Sequence, residues 1–61
     1  MKVFLVYARA FGLNQILVAA NSINEANEIV DIAHFGVYFD ETIQCTNLTA
    51  NVDKPQILYS F

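Results

Sequence analysis

Val3-Phe4-Leu5-Val6-Tyr7-Ala8-Arg9-Ala10 and Gln15-Ile16-Leu17-Val18-Ala19-Ala20 are two apolar runs, parted by a break at Gly12-Leu13-Asn14. Each run is shorter than an ordinary helix and rich in branched and aromatic side chains, which suit a pleated backbone; each reads as a strand. Gly12 can take the positive φ of a tight turn and Asn14 tolerates the left-handed region, so the two strands form an antiparallel hairpin. Neither strand alternates between greasy and wet. One side of the first carries Val3, Leu5 and Tyr7, the other Phe4, Val6 and Ala8. In the second, Leu17 and Ala19 oppose Ile16, Val18 and Ala20. A slip of one residue exchanges the faces of a strand, and alternation leaves the register open here.

A helix follows the hairpin. Ser22 and Glu25 stand at the spacing of a capping box, in which the Ser hydroxyl accepts from the Glu25 amide and the Glu carboxylate reaches back to the Ser22 amide. Ile23, Ala26, Ile29, Val30 and Ala33 then recur on one helical face, with Asn24, Asn27, Glu28, Asp31 and His34 mostly on the other. Gly36 stands where a C-terminal glycine belongs, and His34 falls in the last turn beside the negative end of the dipole.

From Val37 to Thr46 the pattern alternates, which predicts a strand with one wet face. Val37, Phe39, Ile43 and Cys45 share the apolar side with Glu41 as an exception, against Tyr38, Asp40, Thr42, Gln44 and Thr46. Residues 47–55 are polar and read as a loop. Pro55 lacks a backbone donor and suits the start of an edge strand, here a short one from Gln56 to Phe61. The expected fold is α+β: a single domain over 1–61, a two-layer β-β-α-β-β sandwich with one helix on one face of a small, mainly antiparallel sheet.

A chain of 61 residues is close to the lower limit for unaided folding. Cys45 is its one cysteine, so no internal disulfide can help. Hydrophobic residues make up 56 % of the chain, above the usual level of about 45–50 %, which points to an apolar core reinforced by association. The net charge is −3, and the three basic residues, Lys2, Arg9 and Lys54, are scattered. Nucleic-acid binders and basic membrane-surface helices concentrate such cations, so neither nucleic acid nor a membrane is an expected partner. The opening Lys2, apolar run and Ala8-Arg9-Ala10 imitate a signal peptide, but Val3 to Ala8 is only six residues against the ~7–15 such a segment needs. With a lone thiol, the expected compartment is the cytoplasm. Asn47-Leu48-Thr49 matches the glycosylation acceptor pattern, which carries weight only in a secreted protein.

One helix shields one sheet face, yet the hairpin is apolar on both. Each large apolar side chain left wet forfeits about 1.5–3 kcal/mol, and five of them about 10 kcal/mol, comparable to the net stability of a domain. Either a loop or the C-terminal strand folds across the second face, or another chain covers it. The expectation is a homo-oligomer, most simply a two-fold dimer, with Val3, Leu5, Tyr7, Arg9, Leu17, Ile32 and Phe35 as its interface.

Chemistry is sparse by comparison. Asp31 and His34 share a helical face, but two ligands do not make a metal site. A Cys45–His34 nucleophile and base is outweighed by the place of Cys45 on an apolar strand face, where thiols are inert. Asp40 and Glu41 are neighbours on a strand and so diverge, and Glu41 is better explained by a bulge or by an ion pair with Arg9 or Lys54. The chain has no phosphate-cradling glycine loop. No catalytic, cofactor or metal residues are assigned. The expected function is that of a small, acidic, non-catalytic interaction or regulatory protein, of the kind phages and mobile elements encode, with a possible protein partner. The alternative is a small-molecule site at a dimer seam anchored by Tyr7 and Arg9.

Overall fold

The computed structural model describes residues 1–9, 13–33 and 38–61. The order is β1 (Lys2–Arg9), β2 (Leu13–Ala20), α1 (Ile23–Ala33), β3 (Tyr38–Thr49) and β4 (Gln56–Ser60). The strands make one antiparallel sheet in the order β3-β1-β2-β4, and α1 packs on one side of it. This is the expected two-layer α+β arrangement. β2 starts at Leu13, pairing Leu13 with Arg9 and Asn14 with Ala8, so these two residues belong to the ladder and not to the turn. The expectations for Gly12, His34, Phe35 and Gly36 lie outside the described residues.

The hairpin register pairs Phe4 with Val18, Leu5 with Leu17 and Val6 with Ile16. Even-numbered residues of both strands therefore share one side, and that side faces the helix. Phe4, Val6 and Ala8 from β1, Ile16, Val18 and Ala20 from β2, and Ala26 and Val30 from α1 form the core, each no more than 2 % exposed. Ile29, Phe39 and Ile57 pack around its margin. Polarity selects this register. Tyr7, Arg9 and Gln15 all carry odd numbers, and a helix laid over them would strip their polar groups of water. No polar or charged residue is buried among the described residues.

The helix begins as a capped turn with one displaced partner. The Glu25 amide donates to Ser22 Oγ at 3.2 Å. The Glu25 carboxylate reaches back one residue further than expected, accepting from the Asn21 backbone amide at 2.7 Å and from Asn21 Nδ2 at 3.0 Å. The buried stripe is narrower than the apolar pattern implies. Ala26 and Val30 are sealed, whereas Ile23 is 45 % exposed and Ala33 lies in the open.

β3 departs most from simple alternation. Phe39 pairs with Ala8 and Glu41 with Tyr7, leaving Asp40 as an extra residue in a bulge. The bulge reverses the phase of the strand. Phe39 thus joins Thr42 and Gln44 on the helix side, while Glu41 and Ile43 take the other, so Phe39 and Ile43 do not share a face. Thr42 donates its hydroxyl to Asn27 Oδ1 of the helix, which explains a polar residue at that position. A second irregularity sets residues 45–48 against Val3 alone, between the Phe4–Gln44 and Lys2–Thr49 pairs. The strand extends to Thr49, so the connecting loop is confined to 50–55.

Candidate interaction surface

On the sheet face away from the helix, the register lines up one residue from each strand. Leu5 pairs with Ile43 on one side and Leu17 on the other, and Leu17 pairs with Tyr59. Ile43, Leu5, Leu17 and Tyr59 thus cross the sheet as one apolar row. The adjacent row holds Glu41, Tyr7, Gln15 and Phe61; Phe61 is anchored by its amide donating to the Gln15 carbonyl at 2.8 Å. The rings of Tyr59 and Phe61 meet edge to face with centroids 4.9 Å apart. That contact stiffens an aromatic ridge along the β4 margin. Tyr59 is 59 % exposed, Phe61 67 % and Ile43 42 %, with Leu5, Tyr7 and Leu17 half-buried between their neighbours.

This face is closed at one end. Val3 and Ala19, partners across the hairpin, are buried on the odd-numbered side although no helix lies there. Residues 50–55 carry the chain past that end, from β3 beside β1 to β4 beside β2. Met1 and Ala50 tie the crossing down with two reciprocal backbone bonds of 2.8 Å. Part of the cover thus comes from the chain itself. β4, in contrast, extends the sheet at the β2 edge and does not fold across the rows of Leu5 and Tyr7.

Among the expected interface residues, Leu5, Tyr7 and Leu17 come together on this open face. Val3 shares the face but is sealed at its closed end. Arg9 is exposed at the opposite end, its Nε donating to Asp40 Oδ2 at 2.7 Å. Ile32, 74 % exposed, is on the helix and separate from the sheet surface; Phe35 lies outside the described residues. Ile43, Tyr59 and Phe61 belong to the surface and were not in the expected set. The side that Tyr59 and Phe61 take is set by the pairing of β4 with β2.

Chemical groups are dispersed around this surface. Glu41 borders the bulge and Arg9 pairs with its neighbour Asp40, so the guanidinium that would anchor a small anion beside Tyr7 is already engaged. Cys45 is half-buried where β3 loses its pairing. Among the described residues, no three His, Cys, Asp or Glu side chains cluster as metal ligands, and no helix is long and apolar enough to cross a membrane. Comparison with protein families, with characterised proteins and with solved structures finds no match for this chain.

Proposed function

We propose that this protein works by association rather than by turnover, as a small interaction or regulatory protein that forms a homo-oligomer through its open sheet face. The observation that carries this reading is the apolar row Ile43–Leu5–Leu17–Tyr59, flanked by Phe61, on the side of the sheet away from the helix. Patches of this kind on small proteins mark contact surfaces, because leaving them in water forfeits the burial that a partner returns. The setting favours a partner over a substrate. The centre of the surface is uncharged, and at its border Arg9 is paired with Asp40 while Glu41 and Gln15 are exposed. A cytoplasmic location fits the lone thiol.

Light scattering on the purified chain tests the reading. From micromolar concentration upward, the expected mass is at least twice the 6.9 kDa of one chain. A mass of one chain at every concentration up to the millimolar range retires it.

A further inference from the structure

Resting on that reading, we infer that the occupant of the open face is the same face of a second copy, packed sheet on sheet, and that the assembly closes at two chains. Three observations select this arrangement over other self-contacts.

The first is charge. The protein carries a net −3, so two copies meet most readily where acids are absent. The helix displays Glu25, Glu28 and Asp31, and the far end of β3 displays Asp40 and Glu41. A contact through the helix sets three acids against three, whereas the open face brings one, Glu41, at its margin. The row Ile43–Leu5–Leu17–Tyr59 carries no charge, and Glu41 borders it at the β3 margin.

The second is the state of the sheet edges, which are the other common route to self-pairing. β3 is interrupted twice, at Asp40 and over 45–48, and β4 spans five residues with an extra residue, Leu58, facing the Leu17–Val18 step. Short, bulged and acidic edges resist strand addition. An open apolar face beside two blunted edges directs a partner onto the face.

The third is area. Four strands spaced about 4.8 Å apart and residues rising about 3.4 Å each give a sheet of about 500 Å², of which the six hairpin positions beyond the closed end leave about 400 Å² open per copy, or about 800 Å² for two. Stable interfaces begin near about 1,000 Å² and weaker ones lie below that, so a contact on this surface needs nearly all of its open part. Face-to-face packing of two sheets uses all of it, with the sheets about 10 Å apart as in a β-sandwich. Since each copy has one such face, growth stops at the dimer.

Substitutions on the face and on the edge separate this arrangement from its rivals. Tyr59→Asp and Phe61→Ser alter exposed side chains that the monomer does not need for its core. Leu17→Asp strikes the centre of the row. The edge variant is Ser60→Pro. The Phe61 amide points inward to Gln15, so with a period of two the Ser60 amide points out, and proline there removes an edge donor while sparing the β2–β4 ladder.

Sedimentation equilibrium on the full chain and these variants, with far-UV circular dichroism to confirm folding, reads the result. Expected is a dimer for the unaltered chain and for Ser60→Pro. The dissociation constant should rise at least about 5-fold in Tyr59→Asp and in Phe61→Ser, a loss that suits contact residues at the margin of the face. Leu17→Asp should be monomeric; should it fail to fold, the two exposed-site variants decide. A dimer that survives Tyr59→Asp and Phe61→Ser, a monomeric Ser60→Pro, or growth beyond two chains overturns the face-to-face arrangement while self-association stands. A monomeric unaltered chain overturns both.

Discussion

The hairpin of β1 and β2 presents two apolar faces made from the same kinds of residue, and the two fare differently. On the helix side, Phe4, Val6, Ile16 and Val18 are at most 2 % exposed, locked under Ala26 and Val30. On the other side, Leu5, Tyr7 and Leu17 remain half-buried, and the neighbouring strands add Ile43 and Tyr59 in the open. Small residues explain the tight side. Ala8, Ala20 and Ala26 have short side chains, and these let the helix backbone come close enough for Phe4 and Ile16 to fill the layer between. Beyond its closed end the open side has large residues and, among the described residues, no second layer. One face therefore holds the chain together, and the other is available for work.

The largest expected effect tests that division. Phe4→Ala removes a sealed aromatic and should cost about 3–5 kcal/mol, enough to unfold much of a domain this small. Leu5→Ala, one residue along and on the other face, should cost about 1 kcal/mol when urea unfolding is followed at concentrations where the chain is a monomer. Raising the concentration should enlarge the Leu5→Ala cost and leave that of Phe4→Ala unchanged, because only Leu5 gains cover from a partner. Equal costs at high dilution would mean that the second face is already dry in the monomer.

Much of this contrast was legible in the residues, and what was not has an identifiable cause. The helix declared itself through Ser22, Glu25 and the spacing of Ala26 and Val30 because capping and periodicity are local. The choice of face stayed open, because both sides of the hairpin are apolar; the odd numbering of Tyr7, Arg9 and Gln15 accounts for it once the register is known. The phase of β3 was hidden. A bulge at Asp40 is set by the meeting of β3 with Tyr7 and Ala8, and an alternating pattern continued through it assigns Phe39 and Ile43 to one face. The same holds for Tyr59 and Phe61, whose side is fixed by pairing with residues some forty positions earlier. The candidate surface was thus readable in its centre, at Leu5 and Leu17, and unreadable at its rim.

Polar contacts extend the comparison to smaller effects. On the covered side, Thr42 and Asn27 join β3 to the helix in a partly buried bond. Thr42→Val removes the hydroxyl at nearly constant volume and leaves the Asn27 carbonyl without its donor, which should cost about 1 kcal/mol. A double-mutant cycle combining Thr42→Val with Asn27→Ala should show coupling between the two sites in urea unfolding. Independence of the two would mean that the helix is not tied to β3 through this bond.

On the open side, the matching contact is Arg9 with Asp40, side chains 68 % and 37 % exposed. Water and salt screen such a pair, and holding two flexible side chains together costs entropy, so Asp40→Asn should destabilise by about 0.5 kcal/mol or less. Near 1 M salt, where the screening length falls to about 3 Å, even that should vanish. The size of this effect gauges the surroundings, since the same pair removed from water would respond more strongly when broken. A loss above about 1.5 kcal/mol that resists salt would place Arg9 and Asp40 in a dry environment. The open face would then be covered as far as its turn end, and the contrast between the two sides of the hairpin would belong to the isolated chain alone.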